Sequence, residues 1–225
     1  MNAVPEQPDQ PADIDAALLL RWLDTATSVI EREAAHLTEL DSPIGDADHG
    51  NNMRRGFLAA RAALQQEPPD TPGGVLVGVG RQLISTVGGA SGPLYGTLLR
   101  RTGKALGDAP AATAAELRDA LKAGVDALAQ LGGAVPEDKT MVDALVPALD
   151  AFTAALDAGE GTADALSATA RAAGEGAAAT IPLRARKGRA SYLGDRSIGH
   201  QDPGATSSAL LLTALADTAR EASSS

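Results

Sequence analysis

The sequence predicts an all-α protein, a single domain of eight antiparallel helices, and three observations carry that expectation. Ala and Leu are abundant while aromatics make up only 2% of the 225 residues, a bias towards helix over strand. Apolar residues recur every three or four positions along most of the chain, the period of a helix with one buried face. They nowhere alternate over a strand-length run, so no strand is expected. A chain of this length buries about 70% of its unfolded surface, enough for one sizeable core and an enclosed site.

The elements follow in order. Ile14, Leu18, Trp22, Ala26, Val29, Ile30, Leu37 and Leu40 mark a first helix over 14–40. A second spans 51–66 and stops at Pro68 and Pro69. The third, 75–87, closes at Gly88 and Gly89, and the fourth, 93–106, opens with Pro93 in its first turn. A fifth runs over 114–131 to Gly132 and Gly133. The sixth, 140–156, carries the stripe Met141, Leu145, Leu149, Phe152 and Leu156, with Pro147 expected to kink it. The seventh covers 162–181, and the eighth runs over 203–220 behind Asp202 as its cap. The domain thus extends over 14–222. Residues 1–13, rich in Pro and acid, read as a disordered tail without the basic and apolar regions of a signal peptide.

Composition then narrows the function. Lys and Arg number 19 against 29 Asp and Glu, a net charge of −10, which argues against nucleic-acid binding and adhesion to anionic membranes. No run approaches the ~18 apolar residues of a membrane span. The absence of Cys excludes disulfides, thiolate nucleophiles and Cys-ligated zinc. A cytoplasmic location is the expectation.

Four connections are rich in Gly, Asp, Asn, Ser and basic residues: Asp41–Asn52, Gly88–Gly92, Gly132–Thr140 and Arg184–Gly204. They follow the first, third, fifth and seventh helices. In an up-and-down bundle those connections share one end, so the pattern places a site there.

The first connection, LDSPIGDADHGNN, offers Asp41, Asp46 and Asp48. Residues two apart in an extended stretch point the same way, and a bend over Pro43–Gly45 can return Asp41 to them. Three hard oxygen ligands suit Mg²⁺ or Ca²⁺. An EF-hand is excluded, because counting from Asp46 the sixth and twelfth positions are Asn51 and Phe57. The competing reading is that these aspartates cap the next helix.

In VGGASGPLYG, Gly88, Gly89 and Gly92 surround Ser91 at a helix N-terminus, where free N–H groups favour phosphate. An ordinary helix–helix turn is the alternative. Walker A is absent, and Pro93 breaks a G-x-S-x-G elbow. The last connection holds Arg184, Arg186, Lys187, Arg189 and Arg196, with Gly188, Gly194 and Gly199 to let it act as a lid over an anionic ligand. His49 and His200 lie in polar loops within reach of phosphate, whereas His36 sits mid-helix. Met141 and Leu94 could sandwich a base or simply fill the core.

GDADHGNNMRRGF, VGGASGPLYGT, DKTM followed by V-DAL-VP, and ARKGRASYLGDRSIGHQDPGATS closely resemble the nucleotide-binding L subunits of bacterial dihydroxyacetone kinases, a Dak2-type domain. The resemblance spans about Leu18 to Leu215. It implies an eight-helix antiparallel barrel with Mg-nucleotide at one end. Carried over, Asp41, Asp46 and Asp48 match Mg²⁺ ligands that hold a pair of ions. His49, Gly50, Asn51 and Asn52 match the following nucleotide contacts, and Ala90 and Ser91 the phosphate loop. Gly132 and Met141 match the adenine side, and Arg189 with Asp202, Pro203 and Gly204 the closing loop. Pro136-Glu137-Asp138 departs from the family's frequent Pro-Gly-Asp.

The resemblance further implies ADP or ATP as cofactor and phosphoryl transfer to dihydroxyacetone held on a separate K subunit. It also implies a phosphotransferase-system M subunit that recharges bound ADP from phosphoenolpyruvate, and a homodimer. Other readings are an ATP-dependent kinase for dihydroxyacetone or another short-chain ketose, and a regulatory nucleotide-binding module.

Overall fold

The computed structural model describes residues 13–224. The expected tail therefore lies, apart from Asp13, outside the described residues. Eight α-helices follow one another: α1 Ala16–Asp41, α2 His49–Gln66, α3 Pro72–Thr86, α4 Ser91–Leu106, α5 Ala114–Gly132, α6 Val142–Asp157, α7 Thr162–Ala179 and α8 Pro203–Ser223. Each packs on the next, and α8 returns to α1, so the helices form a closed ring around one core. Among the described residues no helix is long and apolar enough to cross a membrane.

Caps explain where the helices begin. Asp15 accepts the Leu18 N–H at 2.7 Å and opens α1. Thr71 accepts from Gly74 and is followed by Pro72, so α3 starts three residues before its apolar stripe. Thr113 and Glu116 form a reciprocal capping box at α5. Α6 continues through Pro147. That proline has no N–H for the Asp143 carbonyl, and Gly176 of α7 packs directly onto this oxygen.

The expectation of no strand needs correction. Ile14–Asp15 (β1) pairs antiparallel with Ala111–Ala112 (β2), bringing the start of α1 beside the start of α5. Two-residue strands are too short to show alternation, so the sequence carries no signal for them. The long final connection is also more regular than expected, since Arg189–Ser197 forms a 3₁₀ helix kinked at Gly194.

The core is aliphatic, with Leu19, Leu23, Ile30, Leu37, Phe57, Leu83 and Phe152 fully buried. Trp22 donates its indole N–H to the Leu211 carbonyl at 3.1 Å, fastening α1 to α8 where the ring closes. Α3 and α4 approach through two glycine pairs. A Cβ on Gly103 would lie 2.5 Å from the Gly73 carbonyl, and one on Gly80 would lie 2.8 Å from that of Gly96. Backbone thus meets backbone at both points, and neither atom can move as a side chain would.

Gly103→Ala is accordingly expected to destabilise the protein by about 2 kcal/mol through overpacking, despite alanine's better helix propensity. Urea unfolding measures it, and a midpoint at or above that of the parent protein would contradict the glycine contact.

Candidate functional site

The connections after α1, α3, α5 and α7 meet at one end of the ring around a cleft of about 480 Å³. Its wall divides by chemistry. Asp41, Asp46 and Asp48 form one side; Leu94, Leu128, Leu131, Ala134 and Met141 form an apolar side; Lys187 and Arg189 reach in from the last connection.

The acidic side is built at a helix-to-helix reversal. Asp41 ends α1, where the helix dipole is already negative, and only 7% of it is exposed. The Pro43–Gly45 bend folds back as expected, with the Gly45 N–H donating to the Asp41 carbonyl at 2.6 Å. Any side chain at Gly45 would overlap the Asp41 carboxylate. The extended geometry expected for Asp46–Asp48 is corrected, because Ala47 between them is left-handed at φ 60°. A turn, rather than strand alternation, gathers the three carboxylates, one oxygen of each lying within 4.8 Å of the others.

The capping reading of these aspartates has a direct contact behind it. Asp41 Oδ2 accepts the backbone N–H groups of Asp48 at 2.9 Å and His49 at 3.2 Å, a cap on α2. Two N–H dipoles do not neutralise three converging carboxylates. Hard oxygens on a tight turn, one of them on a buried residue, fit a divalent cation of the Mg²⁺ or Ca²⁺ type. Arg189 Nη2 lies 3.0 Å from Asp46 Oδ2 and supplies one of the positive charges this cluster requires.

Opposite stands the N-terminus of α4. Ala90 precedes it without a side-chain cap, so its first N–H groups face the cleft beside Gly88, Gly89 and Ser91. Gly89 has φ +64° and Gly88 lies against the Asn52 amide. His49 joins the two sides: Nδ1 is 3.2 Å from Ser91 Oγ and Nε2 is 2.9 Å from Ser207 Oγ. Burial lowers the His49 pKa more than the charges of Asp41 and Asp48 raise it. A neutral ring donates through one nitrogen and accepts through the other, so it orients both hydroxyls. Tyr95 extends this network to Ser207 at 2.6 Å and Ser208 at 3.0 Å, and burial drives its pKa upward.

Not every predicted contact reaches the cleft. Gly50, Asn51 and Asn52 are not among its lining residues. Gly50 packs on the Ala34 carbonyl of α1, Asn51 is exposed, and buried Asn52 accepts from Arg55 at 2.8 Å. Arg55 also donates to the Thr86 carbonyl at 2.8 Å, so the pair braces the glycine turn from behind. His200 likewise stays outside the cleft. Of the five basic residues, only Lys187 and Arg189 line it, while Arg184 pairs with Asp195 at 3.3 Å. Gly132, Met141, Asp202, Pro203 and Gly204 all line it, with Gly204 in close contact with Met141.

Lys139 is the residue that sequence reasoning passed over. Only 1% exposed, it donates to the carbonyls of Thr180 at 2.8 Å and Leu183 at 3.1 Å, and also to that of His200. It thereby ties the third connection to both ends of the fourth. Its place inside the DKTM motif was visible, but a lysine there has no pattern that distinguishes burial from exposure. Burial lowers its pKa, against the charges of Asp202 and Asp143. Asp143 folds the same connection by accepting from Thr140 at 2.7 Å and from Glu137. Glu137 and Lys139 are both left-handed, at φ 72° and 63°.

Fold and site together define a class: a closed ring of eight helices with a candidate metal and phosphate site in the loops at one end. The chain belongs to the DAK2 domain family, whose model matches residues 43–217. It is 42% identical over 203 residues to the ADP-binding subunit DhaL of the PEP-dependent dihydroxyacetone kinase of Escherichia coli (strain K12), covering 90% of this chain and 97% of that one. It is also 40% identical to the L-erythrulose 1-kinase of Mycolicibacterium smegmatis, over 87% of this chain but 34% of the kinase. The crystal structure of the dihydroxyacetone kinase of C. freundii superposes with a TM-score of 0.68 at 25% identity, over 96% of this chain and 38% of that one.

Two outcomes test this geometry. Glu137 stands in a left-handed position, φ 72°, that Gly adopts without strain, so Glu137→Gly is expected to raise stability by about 1 kcal/mol, read as a higher urea midpoint. Asp202 has its pKa raised from 3.8 to about 7, mainly by desolvation and further by Asp143 and Asp41, against the Ala205 N–H and Lys139. Its folded pKa exceeds its unfolded one, so the folded state binds the extra proton. Stability in EDTA should fall as pH rises from about 4 to about 7 and then level off. Asp202→Asn keeps an acceptor for the α8 cap and should flatten that fall; an unchanged slope would assign the dependence to another group.

Proposed function

We propose that this chain is the nucleotide-holding subunit of a dihydroxyacetone kinase, in which bound ADP is the phosphoryl carrier. The supporting observation is the division of the cleft, with three carboxylates facing an uncapped helix N-terminus and an apolar wall beside both. That is the complement of a Mg-nucleotide: metal, phosphates and base. The resemblance to the ADP-binding subunit over 97% of its length supports ADP as the ligand and phosphoenolpyruvate as the source of phosphoryl groups.

The residues take distinct parts. Asp41, Asp46 and Asp48 would hold Mg²⁺, which supplies charge neutralisation for the phosphates when bound. The N–H groups opening α4, together with Ser91, donate to phosphate oxygens, and Gly88 and Gly89 let those oxygens approach the backbone. Lys187 and Arg189 add positive charge from the opposite side. Met141 and Leu94, with Gly132 leaving room, face the base, and the Asp202-Pro203-Gly204 turn closes the cleft below it. His49, kept neutral, fixes the Ser91 hydroxyl. The acceptor hydroxyl is held on a K subunit, and an M subunit of the phosphotransferase system restores the phosphoryl group.

The nucleotide released when dialysed protein is denatured tests the reading. Near-stoichiometric ADP is expected, and Asp46→Asn should release at least tenfold less, since a charge-assisted contact is lost. An empty protein that binds Mg-ATP reversibly would instead favour the ATP-dependent reading, with dihydroxyacetone and erythrulose as the acceptors to compare. Neither retention nor binding would end the nucleotide assignment.

A further inference from the structure

A second concavity lies on the outer wall of the ring, between α4 and α5, with a volume of about 570 Å³. Thr97, Arg100, Arg101 and Lys104 line it from α4, at the i, i+3, i+4, i+7 spacing of one helix face, and Gln130 and Leu131 line it from α5. Three cations in one groove are unexpected on a chain with net charge −10. None of the three has an acidic partner among the ion pairs of the described residues. The nearby Asp126 of α5 is engaged by Lys122 at 2.6 Å.

Arg100 adds an independent observation. Its stem lies against α3, close to Gly80, and its Nε is the one buried side-chain polar atom without a hydrogen-bond partner among the described residues. A partly desolvated guanidinium with neither an acid nor a full set of acceptors is costly, and such groups are rare in folded proteins. An anion seated in the groove would balance the charge of this guanidinium rather than supply an acceptor to its buried Nε, with Thr97 and Gln130 as neutral donors beside the charges.

We propose that this α4–α5 groove is a binding site for a small phosphate-bearing anion, separate from the nucleotide cleft. Its volume suits a small molecule and its polar, concave wall suits a compact, multiply charged one, whereas an acidic protein surface needs no cavity. The basic stripe spans one helix face about 10 Å long, the reach of two linked phosphates with their neighbouring groups. Leu131 lines both this groove and the cleft, so an occupant here touches the wall of the nucleotide site from outside.

Pyrophosphate, titrated into the full chain in EDTA and followed by backbone amide shifts, tests the assignment. Metal-free conditions leave the three cleft aspartates unneutralised and disfavour an anion there. Shifts should concentrate at 97–104 and 127–131, and Arg101→Ala/Lys104→Ala should weaken binding about tenfold or more without changing the melting temperature, since both side chains are exposed. Arg100→Gln, whose shorter stem also alters packing on Gly80, serves as a second variant, judged by affinity in folded protein. Shifts confined to Gly88–Ser91 and Arg189 would overturn the proposal by assigning pyrophosphate to the cleft. Unchanged affinity in the double variant would overturn it as well. A polyglutamate peptide that shifts the same amides when pyrophosphate does not would replace it with an acidic protein partner.

Discussion

Direction reversal at every connection is the constraint on which the rest depends. Eight helices that run up and down in a closed ring deliver the connections after α1, α3, α5 and α7 to one end. Those four connections carry nearly all of the chain's unusual polar residues, and the aliphatic helices below them need only pack. Close packing comes from small residues, with α3 and α4 meeting backbone to backbone at two glycine pairs. The ring is thereby a rigid frame, and chemistry is confined to its rim, where loops can change without disturbing the core.

At that rim the energetic problem is charge. Three carboxylates converge at the C-terminal end of α1, where the helix dipole adds to their repulsion. The protein answers locally with the N–H groups of Asp48 and His49 and with Arg189 from across the cleft. Under the proposed function, a divalent cation held by Asp41, Asp46 and Asp48 would complete this balance. Backbone strain accompanies the arrangement: Ala47, Glu137 and Lys139, the non-glycine residues with left-handed backbone among those described, all lie in rim connections. Lys139 holds the last connection in place through backbone carbonyls at both of its ends, so the arm that carries Lys187 and Arg189 is positioned from beneath.

Much of this was legible in the sequence. Helical periodicity located all eight helices because each has a one-sided apolar stripe such as Leu18, Trp22 and Ala26. The start of α3 was misplaced because the Thr71-Pro72 cap, rather than the stripe, decides it, whereas α8 begins where its Asp202 cap indicates. The two-residue strands escaped because alternation needs more residues than they contain. The aspartate triad was found by residue type and proximity, though the turn that assembles it passes through a left-handed Ala47 that no composition rule anticipates.

By itself the sequence determined the helix number, the grouping of polar connections and the residue types suited to metal and phosphate. These are properties of local order along the chain, set by periodicity, turn chemistry and charge. Tertiary structure alone decided which of the candidates face the cleft. It turned Met141 and Gly132 inward, and sent Asn52 to brace the glycine turn. It also buried Lys139 among carbonyls 41 to 61 residues further along the chain. A side chain's partners across such separations depend on how the helices close into a ring, and nothing in the local sequence encodes that closure.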